Sequence, residues 1–325
     1  MVFSNFVMQT LQHQTVGQEY AVDAVTRAIT LAYAGLRRRG NMLGVLLFIG
    51  PAGSGKTHMA RTLARLLTGS EHTMLYVNCQ QLDPATDPLA SFEGQLKAAK
   101  NRAAAGVDSL PMFNLIVFEE IDKSTDAFRD ELALAFDCGS IALPGGVFSL
   151  SNSFAILVSD LARKKADQLI GRTIGFFLDG ETASERSRRQ AVALEEVDQS
   201  LGPRLVSRID EIVVFERLSQ QDMITLLERE LSEIERYLAG SCIGFIIEHD
   251  AKTFLIKEGL DDLNHGARQI TRVVRNHLEF PIADLMLSKC LVPGTTVTVR
   301  HEPSRSFLNF EIMVPCIAGS SVAGT

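Results

Sequence analysis

One octapeptide, Gly50-Pro51-Ala52-Gly53-Ser54-Gly55-Lys56-Thr57, constrains the fold of this chain more than any other stretch. It follows the apolar run Val45-Leu46-Leu47-Phe48-Ile49 and precedes Met59, Leu63 and Leu66, which repeat at the spacing of one helix face. A buried strand, a glycine-rich turn and a helix in that order match the phosphate-loop pattern G-x-x-x-x-G-K-[ST]. Backbone N–H groups from Gly53, Ser54, Gly55, Lys56 and Thr57, unpaired at a helix start, can cradle a β-phosphate. Lys56 can reach the β- and γ-phosphates, and Thr57 can ligate Mg²⁺. These residues imply a nucleoside triphosphate site.

A chain of 325 residues is long for one domain and short for three, so a large domain followed by a smaller one is expected. With 46% hydrophobic and 22% charged residues, its composition is that of a globular protein with a substantial core. A net charge of -7 weighs against a general nucleic-acid binder, and the basic triplet Arg37-Arg38-Arg39 reads as a solvated helix end. The 5 cysteines contain no C-x-x-C pair and the 7 histidines no H-E-x-x-H spacing, so neither a zinc site nor a disulfide framework is indicated. No apolar stretch approaches the roughly 18 residues of a membrane span, and the N-terminus lacks the layout of a secretory signal. The expected setting is cytoplasmic, with no membrane partner.

Four more short apolar runs follow the first, at 73–77, 115–118, 154–158 and 211–215, separated by helix-patterned segments. That alternation predicts an α/β domain built on a parallel five-stranded sheet covered on both faces, spanning residues 1–217. From Ser219 the pattern turns helical without strands: Ser219 and Asp222 match a capping box, and Ile224, Leu227, Leu231 and Ile234 continue one face. A second helix is expected from Asp250 to Glu258, stopping at Gly259, and a third from Ala267 to about Ser288, with Pro281 bending or interrupting it. A strand at 295–300 then closes a small, mainly helical domain at 218–316, ahead of a flexible tail at 317–325. Residues 103–111 and 181–190, poor in periodic apolar content, read as exposed loops or loose helices.

The run Leu115-Ile116-Val117-Phe118-Glu119-Glu120-Ile121-Asp122-Lys123 is a strand ending in acids, the second half of a nucleoside triphosphatase site. Glu119 can hold the Mg²⁺ shell, and Glu120 can orient and deprotonate the water that attacks a γ-phosphate.

With these motifs in this order, the chain resembles the Clp-type AAA+ ATPases, the heat-shock unfoldases and disaggregases, and especially their C-terminal ATPase module, from about Val16 to Arg300. The segment from Val16 to Val25 is similar to the one that opens the module and lies over adenine. Leu157-Val158-Ser159-Asp160 resembles the sensor-1 turn. Ser207-Arg208-Ile209-Asp210-Glu211 resembles the N-R-I-D-E segment, which makes Arg208 the arginine finger that reaches a neighbour's nucleotide. Gly266-Ala267-Arg268 resembles sensor 2, with Arg268 contacting nucleotide from the small domain. The resemblance implies ATP and Mg²⁺ as cofactors, a homo-oligomeric, hexameric ring and a protein substrate.

Departures from the family pattern narrow these expectations. Glu119 replaces the usual aspartate and Ser207 an asparagine. Asp160 stands where the family has an asparagine, and an ionised carboxylate accepts hydrogen bonds but repels a γ-phosphate, so slow hydrolysis is expected unless Asp160 is protonated or paired with a cation. The aromatic G-Y-V-G pore loop is missing from the sequence, with Phe92 the nearest aromatic, either a packing residue or a substrate grip. Ile174-Gly175-Phe176 is either a structural turn or a loop that docks a peptidase ring. Three functions stay open: an ATP-driven protein remodeller, a slow-hydrolysing nucleotide-gated scaffold, and an ATPase acting on nucleic acid.

Overall fold

The computed structural model describes residues 2–35, 42–71, 74–82, 89–90, 92–94, 97, 114–161, 197–260, 266–302 and 305–314. The basic triplet at 37–39, the loops at 103–111 and 181–190, the tripeptide at 174–176 and the tail lie outside them. The chain separates into two compact units, Met1–Arg217 and Leu218–Thr325.

The first unit is organised by five parallel strands: β1 (Gly44–Ile49), β2 (Met74–Asn78), β3 (Asn114–Glu119), β6 (Ser153–Ser159) and β7 (Glu211–Val214), in the spatial order β2-β3-β6-β1-β7. Strand side chains alternate between faces, so continuous apolar runs place apolar residues on both. Val45, Leu47, Ile49, Ile116, Phe118, Ala155 and Leu157 face one side, where Phe128, Leu132 and Phe136 of the helix Asp126–Cys138 cover them. Leu46, Phe48, Leu115, Val117, Ile156 and Val158 face the other, under the helices Glu19–Tyr33 and Lys56–Thr68. Each face is a separate core.

Phe92 is fully buried in the first core, 5.8 Å from the ring of Phe118 and 5.7 Å from that of Phe128. Of its two readings, packing residue is the one the structure supports. A small antiparallel hairpin, β4 (Ser140–Leu143) with β5 (Gly146–Ser149), follows the helix Asp126–Cys138 and was not expected from sequence. Its turn is held by Glu93, whose Oε2 accepts from the Gly145 N–H at 2.9 Å.

Gly50, just past β1, has φ 148°, and a Cβ there would lie 2.4 Å from the carbonyl oxygen of Phe215. That neighbour is backbone and cannot rotate away. Gly50→Ala is therefore expected to destabilise the fold by on the order of 3 kcal/mol, combining backbone strain with overpacking. Urea unfolding checks this; an unchanged midpoint would show that the strand end relaxes freely.

The second unit opens with the helix Gln220–Gly240, whose Ser219–Asp222 capping box is complete. Its sheet has three strands, β8 (Gly244–Ile247), β9 (Thr296–His301) and β10 (Leu308–Met313), in the order β10-β9-β8. The expectation of a single closing strand is thus corrected. β8 lies parallel to β9 and β10 antiparallel to it. The helix His249–Leu260 continues through Gly259 rather than stopping there, and the glycine serves packing, since a Cβ at that position would come within 2.5 Å of Ile270 Cδ1. Pro281 does interrupt the third helix. The stretch Arg275–Glu279 widens into a π turn between Ala267–Val274 and Phe280–Leu287, with the Phe280 N–H bonded to the Arg275 carbonyl, the adjustment that a residue lacking an N–H forces on the ladder. Among the described residues, no helix is long and apolar enough to cross a membrane.

Candidate functional site

Parallel strands carry ligands at their C-terminal edge, where the chain leaves a strand and the crossover directions diverge. Here Ile49 at the end of β1 pairs with Ser159 at the end of β6, and Phe118 of β3 pairs with Leu157 of β6. The phosphate loop after β1, the acidic pair after β3 and Asp160 after β6 therefore emerge at one level. The β1 loop turns directly into the helix Lys56–Thr68, with Gly55 in the left-handed conformation as its N-cap. Among the described residues, and apart from its own chain neighbours and helix backbone, nothing lies within 4 Å of where a Cβ of Gly55 would stand, so the space beside the loop there is open.

Lys56 is buried. Its ammonium donates to the carbonyls of Gly50 at 2.7 Å and Pro51 at 2.8 Å, and to Oδ1 of Asp160 at 2.7 Å. The cation that sequence analysis left as one way to accommodate Asp160 is thus the phosphate-loop lysine itself. Thr57 Oγ1 donates to both carboxylate oxygens of Glu119, at 2.9 and 3.2 Å. Burial pushes the Glu119 carboxyl above the ordinary carboxylate range, against the opposing effects of Thr57 and Lys56. Tyr76 is pushed up to about 12, first by burial and then by Glu119, and burial likewise keeps the Cys79 thiol protonated.

Glu120 stands just past β3 at φ 56°, ψ 45°, a left-handed conformation rare for a residue with a side chain. Its Oε1 accepts from Lys123 at 2.7 Å, while Oε2 is buried without a hydrogen-bond partner. Ser159 donates to Asp122 and accepts from the Leu161 N–H at 3.0 Å, which ties the end of β6 to the turn after β3.

These groups fit a nucleotide with Mg²⁺. Ser54 Oγ in the loop and Glu120 Oε2 after β3 are buried polar atoms lacking partners, the state expected where a ligand supplies them. A hydroxyl and a desolvated carboxylate are oxygen donors suited to a hard cation that keeps waters and phosphate oxygens as its other ligands. No group of three or more His, Cys, Asp or Glu among the described residues could hold a metal unaided. Thr57 and Glu119 are the donor pair available.

Val16 lies half-buried in the turn between the first two helices. That turn is fixed twice: Gln18 exchanges two hydrogen bonds with the backbone of Glu216, both at 2.9 Å, and His58 Nε2 meets the Gln14 carbonyl at 3.0 Å. The second contact reaches the first turn of the phosphate-loop helix. Arg208 pairs with Asp137 at 2.6 Å, and its Nε is buried without a partner. Asp210 braces the same corner by accepting from the Val45 N–H at 2.8 Å. Arg268 is an exposed residue in the first turn of the helix Ala267–Val274, in the second unit. Sequence reasoning missed Asp137, which belongs to no motif, and gave no role to Gln18, Asp122 and Lys123, which lie within segments it singled out; only their spatial partners reveal what these side chains do.

Comparison with known proteins agrees with this geometry. The family model described as AAA domain (Cdc48 subfamily) matches residues 41–212, and the model of the C-terminal, D2-small domain of ClpB protein matches residues 218–299. Similar relatives include the chloroplastic chaperone protein ClpD of Arabidopsis thaliana, 28% identical over 89% of this chain and 31% of its own length. Another is the ATP-binding subunit ClpC of the ATP-dependent Clp protease of Staphylococcus aureus, 27% identical over 90% of this chain and 36% of its own. The chain spans about a third of these relatives. The S. cerevisiae Hsp104-ADP complex shares the fold, with a TM-score of 0.74 at 24% identity over 94% of this chain and 52% of that one. The chain belongs to the AAA domain family, Cdc48 subfamily, with a segment matching the D2-small domain of ClpB protein following the AAA domain.

Proposed function

We propose that this protein binds ATP with Mg²⁺, hydrolyses it and couples the cycle to the remodelling of protein substrates as a subunit of a homo-oligomeric, six-membered ring. The observation that carries the reading is the convergence at one sheet edge of Lys56, the Thr57–Glu119 pair and the half-partnered Glu120 carboxylate. Backbone N–H groups from Gly53 to Thr57 hold the β-phosphate, and Lys56 bridges to the γ-phosphate. Thr57 and Glu119 would hold Mg²⁺, which would supply neutralising charge to the phosphates. Glu120 Oε2 accepts a proton from the attacking water as its oxygen bonds to the γ-phosphorus and the bond to the β-phosphate oxygen breaks, releasing ADP. Arg208 acts on the nucleotide of the next subunit, Val16 lies against the adenine, and Arg268 carries the nucleotide state to the small unit. These last three roles rest on position in the family pattern.

The relatives' names, a chaperone and the ATP-binding subunit of a protease, support a protein substrate. A peptidase ring as partner rests on the ClpC name and on Ile174-Gly175-Phe176 alone. A cytoplasmic setting suits the free, exposed thiols of Cys138, Cys242 and Cys290. One observation favours the scaffold reading, with slow hydrolysis: the cation that pairs with Asp160 is Lys56, the group a γ-phosphate would need, so the pairing replaces repulsion by competition for the lysine. Nothing in the geometry of the described residues favours nucleic acid.

Steady-state ATPase turnover with Mg²⁺ alone, with an unfolded polypeptide and with DNA tests the proposal. Stimulation by the polypeptide is the expected result. Stimulation by DNA alone would move the protein to the nucleic-acid class, and assembled rings that turn over slowly and respond to neither would make it a scaffold.

A further inference from the structure

We propose that Asp160 sets the nucleotide preference of this site, making it favour a nucleoside diphosphate over the triphosphate. The inference rests on the nucleotide-binding reading above and concerns the discrimination between the two ligands. Its ground is the Lys56–Asp160 ion pair at 2.7 Å, in which the lysine side chain is 6% exposed and the carboxylate 44% exposed.

Lys56 cannot leave the pair cheaply, because it is also held by the carbonyls of Gly50 and Pro51 and is enclosed by protein. The carboxylate oxygen therefore acts as a resident anionic ligand of the ammonium, at the distance a phosphate oxygen would take. A β-phosphate is gripped chiefly by the backbone N–H groups of the loop and can approach while Asp160 stays in place. The γ-phosphate brings a further negative charge to the same lysine. It must share the ammonium with Asp160 at close range or push the carboxylate out toward solvent, and both cost affinity that a diphosphate does not lose. An asparagine has the same shape, still accepts from Lys56, and offers an N–H to a phosphate oxygen. The penalty therefore belongs to the charge of Asp160 and falls on the third phosphate.

The test measures Kd for Mg-ADP and for a non-hydrolysable Mg-ATP analogue by calorimetry, on the full chain and on two variants. Asp160→Asn is expected to lower the ratio of analogue Kd to ADP Kd by about tenfold, the scale of one unpaired charge interaction partly screened by solvent. Asp160→Ala removes the charge without adding a donor and should lower the ratio as well. Equal shifts in both Kd values, or an unchanged ratio in both variants, overturns the inference while leaving nucleotide binding intact. Lys56→Ala should lose both ligands together. If the parent chain binds neither ligand at millimolar concentration, the binding reading falls and this inference with it.

Discussion

Glu120→Gln protein is expected to bind ATP as the parent does and to turn it over about 10²–10⁴ times more slowly, the range set by loss of a general base. The geometry of Glu120 is what makes the substitution informative. Oε1 is engaged by Lys123 and Oε2 is buried without a partner. Glutamine keeps the shape and can still accept from Lys123, so the left-handed turn after β3 need not move. What it loses is the ability to take a proton. Binding is governed by other atoms, those of the phosphate loop and the Thr57–Glu119 pair, so Kd should stay within a few-fold. The ATP-loaded ring should then persist, which light scattering in Mg-ATP would record as a stable large species. Turnover at the parent rate would remove Glu120 from the role of base, and Asp122 would be the next acid to examine.

The parts of this architecture that were legible in the sequence are those fixed by local physics. A parallel strand buried on both faces must be apolar throughout, and the runs of the central strands β1, β3 and β6 were visible for that reason, while the half-buried edge strands β2 and β7 also showed as apolar runs. The capping box at Ser219 is a local device and was equally plain. The hairpin β4–β5 was not, because its four-residue strands are mostly surface and Val147 is 76% exposed, so no apolar pattern marks them. β8 is only half-buried and starts at a glycine, although β10 alternates Leu308, Phe310 and Ile312 with polar residues, a period-two signal open to reading. At the site, motifs name the ends of interactions and leave the pairings unstated. Lys56 and Asp160 stand in separate motifs, and only the register of β1 against β6 brings them to 2.7 Å. Asp137 lies outside any motif, yet it determines what Arg208 touches.

That last contact shapes the second large effect. Within its own subunit Arg208 is paired to Asp137 at the end of the helix Asp126–Cys138, beside Met42, Phe136 and Asp210, and its side chain is 31% exposed. A guanidinium held this way is oriented and accessible from outside, which suits a group that completes a site on another subunit. Arg208→Ala is therefore expected to leave ATP affinity of an isolated subunit nearly unchanged while turnover of the assembled protein falls about 10³-fold or more, the scale measured for arginine fingers. Loss of the arginine also leaves Asp137 unpaired, but that carboxylate is 42% exposed and solvent can replace the partner, so unfolding does not explain an inactive variant. Mixing Arg208→Ala with Glu120→Gln subunits isolates the trans contribution. Each variant alone should turn over at its own strongly reduced rate. In a head-to-tail ring formed at equal proportions, about a quarter of interfaces would join an intact Glu120 to a neighbour's intact Arg208, and activity should return in that proportion. No recovery at any ratio would place the action of Arg208 within its own subunit, and the pair with Asp137 would then be a structural brace.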